Sequence, residues 1–396
     1  MTNLLEMKNF IREYRDYLLF MGGAVFWGLG EGMYIYYQTI YMEQLGAQPV
    51  LIGACFSIIG VVQMVIQTPA GYLTDRYGRR PMLWAGWLIA VSSVWIYYFA
   101  QSIPVFLIGL FVNGLMAVGW PAQYSYIATA TNKMSPSRSL TLMMSFTFIG
   151  NVLGTLISSQ VSAGSGIRIV YLLAAISVTI SALFILSLRP QVVEKHPIIS
   201  KDQGLLRNRR LMIFMAILLV VSMGITLPYI LASNFLQNQV GLNLREIGSL
   251  GVIAGIGNVI VLLFVGNLNP ILAFLIGQAL LGAFSGILWL GQGTVLFHLA
   301  YFCLGGIWLT KMIAVALVKQ MVRAEEMGLA IGMAETLKAL AMILAPFLAG
   351  LLYQVSPEKP FSFGFGVVAA GFILTLAFFS LQSKSVLFSQ RTHMPG

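Results

Sequence analysis

Residues 71–80 read Gly-Tyr-Leu-Thr-Asp-Arg-Tyr-Gly-Arg-Arg, a charged turn between two apolar stretches. Each stretch has about 20 residues, enough to cross the hydrocarbon core of a bilayer as a helix. Of the 396 residues, 58% are apolar and 9% are charged, whereas soluble proteins carry roughly 25% charged residues. In lipid only helices and closed barrels satisfy their backbone groups, and continuous apolar runs favour helices over alternating strands. The sequence therefore predicts an all-α membrane protein.

The apolar runs predict twelve transmembrane helices. They cover residues 17–41, 49–72, 81–100, 103–128, 139–162, 168–188, 210–237, 245–268, 271–290, 293–318, 327–353 and 361–381. The predicted domains are an N-terminal tail (1–16), a six-helix bundle (17–188), a linker (189–210), a second six-helix bundle (211–381) and a C-terminal tail (382–396).

The net charge of +10 follows the predicted topology. With the N-terminus inside, 18 of the 23 Lys and Arg residues fall in cytoplasmic segments and Arg168, Arg245 and Lys359 fall outside. This asymmetry follows the positive-inside rule. It predicts a multi-pass protein of the cell membrane with both termini in the cytoplasm, and it explains the basic character without nucleic acid.

The charged turn carries six residues at the spacing G-x-x-x-D-R-x-G-R-[KR]: Gly71, Asp75, Arg76, Gly78, Arg79 and Arg80. In this pattern and its place between two spans, the chain resembles the major facilitator superfamily of secondary transporters. The resemblance implies two six-helix halves with a small-molecule site near the midplane between them. It also implies that the turn latches the halves together on the cytoplasmic side when the site faces outward. The alternative is that the arginines only anchor the topology and contact lipid headgroups.

A shift of 195 residues brings the start of the first half onto the second without a gap. The matched pairs include Gly46 with Gly241, Ile52-Gly53 with Ile247-Gly248, Gly60 with Gly255, Gly71 with Gly266, and Tyr34-Ile35 with Tyr229-Ile230. This internal repeat predicts two pseudo-symmetric halves in the same orientation. The second copy of the charged turn lacks Asp and Arg.

A second motif lies in the fifth span, where Gly150, Gly154, Ser158 and Ser159 resemble part of the G-x-x-x-G-P-x-x-G-G signature of antiporters. Thr155 replaces the proline. The resemblance implies export, although small residues at this spacing also serve ordinary helix packing. Leu110 stands where many proton-coupled exporters of this family carry arginine, so coupling through that position is not expected.

Four ionisable residues lie near the middle of spans: Glu31, Lys311, Glu335 and Lys338. Such groups are costly in a bilayer and usually face a cavity or a partner. They are therefore candidates for proton or charge coupling. The alternatives are structural ion pairs, between Glu31 and Lys311 or Lys338, or between Glu335 and Lys338, which are spaced i, i+3.

Glu31 belongs to a polar stripe whose spacing predicts one helix face. The predicted cavity residues are Trp27, Tyr34 and Gln38 of this stripe, Thr226, Tyr229 and Ser233 at repeat-related positions, and Asn113, Trp120 and Tyr124 of the fourth span. Packing against lipid or other helices is the alternative for each aromatic residue.

These features predict a secondary transporter that works by alternating access as a functional monomer. The favoured function is proton-coupled efflux of small amphipathic or cationic compounds; proton-coupled uptake of a sugar, amino acid or carboxylate is the alternative. A non-transporting receptor or membrane enzyme is a remote third, because no long signalling extension or catalytic cluster is evident. No cofactor and no metal is expected, and Cys55 and Cys303 are interpreted as small buried residues.

Overall fold

A computed structural model describes residues 2–130, 134–191, 205–266, 268–323 and 326–391. It describes side chains from 14 to 381 within these ranges, apart from Thr68, Asp75, Pro136, Ser137, Leu206 and Gly328. The described chain is helical and contains no strand. The α-helices are α1 (Thr2–Tyr34), α2 (Gln38–Gln44), α3 (Pro49–Tyr77), α4 (Arg79–Phe99), α5 (Ile103–Leu115), α6 (Trp120–Ala128), α7 (Pro136–Leu186), α8 (Arg209–Tyr229), α9 (Ala232–Asn238), α10 (Leu244–Val265), α11 (Pro270–Leu290), α12 (Thr294–Cys303), α13 (Gly305–Lys319), α14 (Met327–Val355) and α15 (Lys359–Arg391).

The helices account for twelve membrane spans within the described part of the chain. Ten helical segments are long and apolar enough to cross a bilayer, and α1 with α2 forms an eleventh, bent by 43°. The twelfth arises because α7 contains two spans. Its 51 residues are interrupted at Gly166, where φ is 78° and the backbone leaves the helical conformation. Glycine allows this break because it has no Cβ to clash in the left-handed region. The predicted all-α fold of twelve helices is confirmed.

The first, fourth, seventh and tenth spans are each interrupted. The breaks lie at residues 35–37 between α1 and α2, in the 3-10 turn Met116–Gly119 between α5 and α6, at 230–231 between α8 and α9, and at Leu304 between α12 and α13. The first, fourth and seventh of these spans carry the predicted cavity residues, and the tenth carries Lys311. Interrupted helices free backbone groups for a binding site, so the breaks fit these predicted positions.

The chain forms two compact units. Unit 1 comprises Met1–Pro197 and Ser233–Gly255, and unit 2 comprises Ile198–Ala232 and Ile256–Gly396. The core of unit 1 gathers buried side chains such as Phe20, Trp87 and Tyr126. The core of unit 2 gathers its own set, including Phe214 and Phe274.

The internal repeat has a clear local signature. Gly46 follows α2 and Gly241 follows α9, and both have positive φ, 94° and 82°. The two glycines are 195 residues apart. The shift found in the sequence therefore relates equivalent turns in the structure.

Candidate substrate and coupling site

Glu31 lies on α1, three residues before this helix ends at Tyr34. Its carboxylate accepts no hydrogen bond and forms no ion pair with any residue whose side chain the structure describes. The residue is half-buried. A charged group near the centre of a span costs about 2.5–3.5 kcal/mol on insertion scales and normally has a partner or a cavity. Glu31 is therefore available to bind a proton or a cation.

Trp27 lies one helical turn before Glu31 and lines a small recess in unit 1. The other lining residues are Gly86, Trp87, Met116, Gly119, Trp120 and Gln123. The ring centroids of Trp27 and Trp87 lie 5.4 Å apart. The volume is about 20 Å³, enough for one water molecule but not for a substrate by itself. Trp27 and Trp120, predicted from different spans, therefore meet at one aromatic recess.

Tyr34 lies within the core of unit 1. Its ring stacks on Tyr171, with centroids 5.6 Å apart, and packs against Tyr97 at 6.0 Å. Gln38 is also buried, but it begins α2 beyond the bend. The predicted polar stripe requires one continuous helix over residues 27–38. Because the helix ends at Tyr34, the helical period does not carry the Glu31 face on to Gln38.

The remaining predicted residues of the fourth span have different surroundings. Asn113 donates a hydrogen bond from Nδ2 to Ser93 Oγ at 3.2 Å, which links α5 to α4. Tyr124 on α6 is 45% exposed. Asn113 therefore has a hydrogen-bond partner on α4, and the Tyr124 side chain is the more exposed of the two.

The repeat-related polar residues fall on two helices. Thr226 on α8 is buried, and its hydroxyl donates to the carbonyl oxygen of Ser222 at 2.9 Å. Tyr229 ends α8 and is half-buried. Ser233 is buried on α9 and belongs to unit 1. The break at 230–231 thus divides the stripe predicted for the seventh span.

Unit 2 holds a cluster of three ionisable side chains. Lys338 Nζ donates to Glu335 Oε1 at 2.5 Å on α14. Lys311 on α13 lies 5.0 Å from the ring centroid of Trp308, a cation–π distance. It is within electrostatic reach of both charges on α14. Two cations and one anion leave a net charge of +1, and their role in coupling stays a prediction.

The charged turn joins α3 to α4 through Gly78. This glycine has φ of 93°, which allows α3 to end at Tyr77 and α4 to begin at Arg79. Arg79 Nη1 donates to Thr129 Oγ1 at 2.6 Å and to Gln191 Oε1 at 3.0 Å. The second arginine position of the motif therefore connects the start of α4 to the end of α6 and to the start of the linker, all within unit 1.

The other motif residues make shorter-range contacts. Arg80 lies over the Trp84 ring with its guanidinium carbon 4.1 Å from the centroid. Arg76 is exposed and donates to Tyr72 Oη at 3.3 Å. Gly71 is helical, and a Cβ there would meet no heavy atom within 4 Å. The side chain of Asp75 lies outside the described residues, so the latch stays a prediction.

The antiporter-like motif packs against α1. A Cβ at Gly150 would collide with the carbonyl oxygen of Val25, and one at Gly154 with that of Leu29. From the other side, Gly28 and Gly32 have no room for a Cβ against the α7 backbone. Two pairs of glycines, each spaced i, i+4, thus bring α1 and α7 into backbone contact.

The later residues of this motif are hydrogen-bonded. Thr155, at the position of the family proline, donates to the carbonyl oxygen of Gly32 on α1 at 2.9 Å. Ser158 and Ser159 are buried and donate to carbonyl oxygens of their own helix, at 3.0 Å and 2.7 Å. The motif is therefore a helix-packing element in this structure, and its link to export stays a prediction.

One polar group was missed by sequence reasoning. Glu43 at the end of α2 accepts hydrogen bonds from Asn238 Nδ2 at 2.7 Å and from Asn234 Nδ2. These three residues, here called the clasp, all belong to unit 1. Glu43 lies two residues beyond the predicted first span, where the cost of a charge in lipid gives no signal. The 195-residue shift, which pairs Glu43 with Asn238, could have found it.

In the described part of the chain, no three His, Cys, Asp or Glu residues are grouped to hold a metal ion. Cys55 and Cys303 are buried free thiols.

Comparison with known proteins agrees with this architecture. Residues 19–310 match the sequence profile of the Major Facilitator Superfamily. The chain is 25% identical over 391 residues to Multidrug resistance protein 2 of Bacillus subtilis (strain 168), covering 93% of this chain and 97% of that protein. It is 23% identical over 362 residues to Multidrug resistance protein 1 of the same organism, covering 88% and 92%.

Solved structures share the fold at low sequence identity. The nucleoside transporter NupG superposes with a TM-score of 0.75 at 15% identity, covering 92% of this chain and 98% of that one. The human organic anion transporter MFSD10 superposes with a TM-score of 0.63 at 15% identity, covering 92% and 99%. Because the family profile matches most of the chain and the twelve-helix fold is shared, the protein belongs to the Major Facilitator Superfamily and is a multi-pass membrane transporter of small molecules, not an enzyme.

Proposed function

We propose that this protein exports small amphipathic or cationic compounds in exchange for protons by alternating access. The observation that carries the proposal is the carboxylate of Glu31, which has no partner among the described side chains and lies one turn from an aromatic recess. Further support comes from two relatives named as multidrug resistance proteins, which align over nearly the whole chain.

A single carboxylate can exchange a cation for a proton. Ionised Glu31 attracts a positive substrate, and two unit charges 4 Å apart at an effective dielectric constant of 20 interact by about 4 kcal/mol. A proton that arrives from the outside binds the carboxylate, removes this attraction and releases the substrate. Loss of the proton to the cytoplasm restores the negative charge for the next substrate.

The aromatic recess provides the second part of the recognition. Trp27 and Trp120 line the same recess, and Trp27 lies one helical turn from Glu31 on α1. A cation over an aromatic face gains about 0.5–2 kcal/mol, more when water is excluded. A flat aromatic cation can therefore use both the ring faces and the carboxylate.

The proposed topology places both termini in the cytoplasm and the protein in the cell membrane as a functional monomer. The support is the concentration of Lys and Arg in alternate loops, together with the bacterial source of the relatives. In this topology Gly46 and the clasp face the outside, and the Gly78 turn faces the cytoplasm.

Uptake of an anionic substrate is the second candidate. Lys311 and Lys338 give unit 2 a cluster with net positive charge, since Glu335 balances only one of them. A carboxylate substrate would meet this cluster rather than Glu31.

Thermal unfolding of the purified protein in the presence of either ethidium or benzoate distinguishes the two candidate functions. A ligand that binds only the folded state stabilises it by about 2.7 kcal/mol at 100 times its Kd. We expect ethidium to raise the melting temperature of the parent and of Lys311→Met, but not of Glu31→Gln. Benzoate should have no effect. Stabilisation by benzoate that is lost in Lys311→Met, without any response to ethidium, would refute cation export and favour the second candidate.

A further inference from the structure

The clasp joins two segments that are far apart in sequence. Both carboxylate oxygens of Glu43 are used: Oε1 accepts from Asn238 and Oε2 accepts from Asn234. Asn234 is 2% exposed and donates also to the carbonyl oxygen of Thr39 at 3.2 Å. These bonds hold α2 against α9.

Two of these three hydrogen bonds join residues that the internal repeat relates. Thr39 and Asn234 are 195 residues apart, and so are Glu43 and Asn238. Residues related by the repeat therefore touch each other, which happens only where the two copies of the repeat meet. The clasp thus joins equivalent points of the two copies, just before the turns at Gly46 and Gly241.

The chemistry of the clasp allows it to open. Glu43 is half-buried and forms no ion pair with a described residue; its partners are two neutral amides. An ionised acceptor strengthens each hydrogen bond. When the clasp opens, water can solvate the carboxylate and replace these bonds, so the cost of opening is lower than for a buried pair of opposite charges.

A second, uncharged contact in the segment 233–255 packs α10 against α7. Gly248, Gly251 and Gly255 form a stripe on α10 with no room for a Cβ. A Cβ at Gly248 would meet Tyr37 and Ser159, one at Gly251 would meet Thr155, and one at Gly255 would meet Val152. Tyr37 Oη also donates to the Leu244 carbonyl oxygen at 3.1 Å. The outer half of α10 thus packs closely against α7.

The chain connections of the segment 233–255 differ from its contacts. The segment 233–255 belongs to unit 1 by its contacts, yet the chain at both its ends continues into unit 2. We propose that the clasp is the latch of an outer gate: it holds the segment 233–255 closed on unit 1, and its release opens the pathway to the outside. The proposal rests on the alternating access and topology proposed above.

A reciprocal exchange of the two side chains tests the latch. Asn238→Asp keeps the size of the side chain but replaces a donor with a second carboxylate facing Glu43, so the clasp should open. Adding Glu43→Gln restores it, because the new amide can donate to position 238 while its oxygen still accepts from Asn234. The control is Asn243→Asp, which adds the same charge near the same end of the chain at a helix-capping position.

The readout is labelling of Ser159→Cys by a membrane-impermeant maleimide added from outside, with Cys55 and Cys303 replaced by alanine. Ser159 is 3% exposed beneath the glycine stripe, so it should react only when the gate opens. We expect Asn238→Asp to raise the labelling rate about tenfold. The double variant and Asn243→Asp should label at the parent rate.

Unchanged labelling in Asn238→Asp, or fast labelling that Glu43→Gln does not reverse, would overturn the latch. If Asn238→Asp folds too poorly to label, Glu43→Gln alone serves instead: it should raise the rate less, and adding Asn238→Asp should lower it again. Failure to lower it would equally overturn the proposal. Labelling needs neither substrate nor a proton gradient, so a failure of ethidium export would leave this result unaffected.

Discussion

The close contact between α1 and α7 predicts that one added methyl group on α7 destabilises the protein at one position and not at another. Gly154→Ala places a Cβ against the Leu29 carbonyl oxygen, and nearby backbone atoms of the same residue leave it no other direction. Gly164→Ala makes the identical change ten residues later in the same helix, where no heavy atom lies within 4 Å of the added carbon. The two variants therefore differ only in their surroundings.

The expected effects have opposite signs. Overpacking costs about 1–3 kcal/mol, and separating the helices also lengthens the Thr155 hydrogen bond to Gly32, which is worth about 1 kcal/mol. Replacing glycine with alanine inside a helix returns about 0.5–1 kcal/mol. Gly154→Ala should therefore lose about 2 kcal/mol of stability, whereas Gly164→Ala should gain up to about 1 kcal/mol.

Thermal unfolding of both purified variants in the same detergent measures the difference. We expect the melting temperature of Gly154→Ala to fall clearly below that of the parent and that of Gly164→Ala to equal or exceed it. Equal melting temperatures for the two variants would refute the inference that the antiporter-like motif packs backbone to backbone against α1.

Three other predictions concern side chains outside this contact. Glu335→Gln should destabilise the protein more than Lys338→Met, because it leaves a lysine that is only 15% exposed without its counter-charge, whereas Glu335 is 49% exposed. Thermal unfolding of both variants and of the double variant checks this order, and equal losses of stability would contradict it. Arg79→Ala should cost about 1–2 kcal/mol through its lost hydrogen bonds to Thr129 and Gln191. The exposed Arg76→Ala should cost under about 0.5 kcal/mol, and the reverse order in thermal unfolding would be inconsistent with the network around Arg79. Trp120→Ala should weaken ethidium binding about 3- to 30-fold, because one ring face is lost. Trp95→Phe should leave binding unchanged, because Trp95 lies outside the recess and donates a hydrogen bond to Thr179. Titration of ethidium fluorescence measures both affinities, and an unchanged affinity in Trp120→Ala would show that the recess is not part of the binding site.

The fold was predictable because its signals are long and repeated. Apolar runs of membrane length determine the number of helices, and the 195-residue shift determines their relation. The breaks in four spans could not be predicted in this way. Residues 116–119, for example, read Met-Ala-Val-Gly within an apolar run, and the proline follows the break, at Pro121, rather than preceding it. Tertiary contacts decide such interruptions.

The candidate site was predicted in part. Glu31 was found because a charge inside a span is costly, and that argument needs no structure. Gln38 was assigned to the same helix face by helical period, but α1 ends at Tyr34 and Gln38 begins α2 beyond the bend. The clasp was missed because its parts lie on different helices, and only the repeat connects them in sequence.

Ethidium flux driven by a pH gradient tests the central claim, that Glu31 couples export to protons. The parent, Glu31→Gln and the exposed control Glu358→Gln are reconstituted into proteoliposomes, and uptake is measured with an acidic lumen and with equal pH. The parent and Glu358→Gln should concentrate ethidium only when the gradient is present. Glu31→Gln should show the same slow downhill flux in both conditions. If Glu31→Gln still concentrates ethidium with the pH dependence of the parent, Glu31 is not the coupling residue.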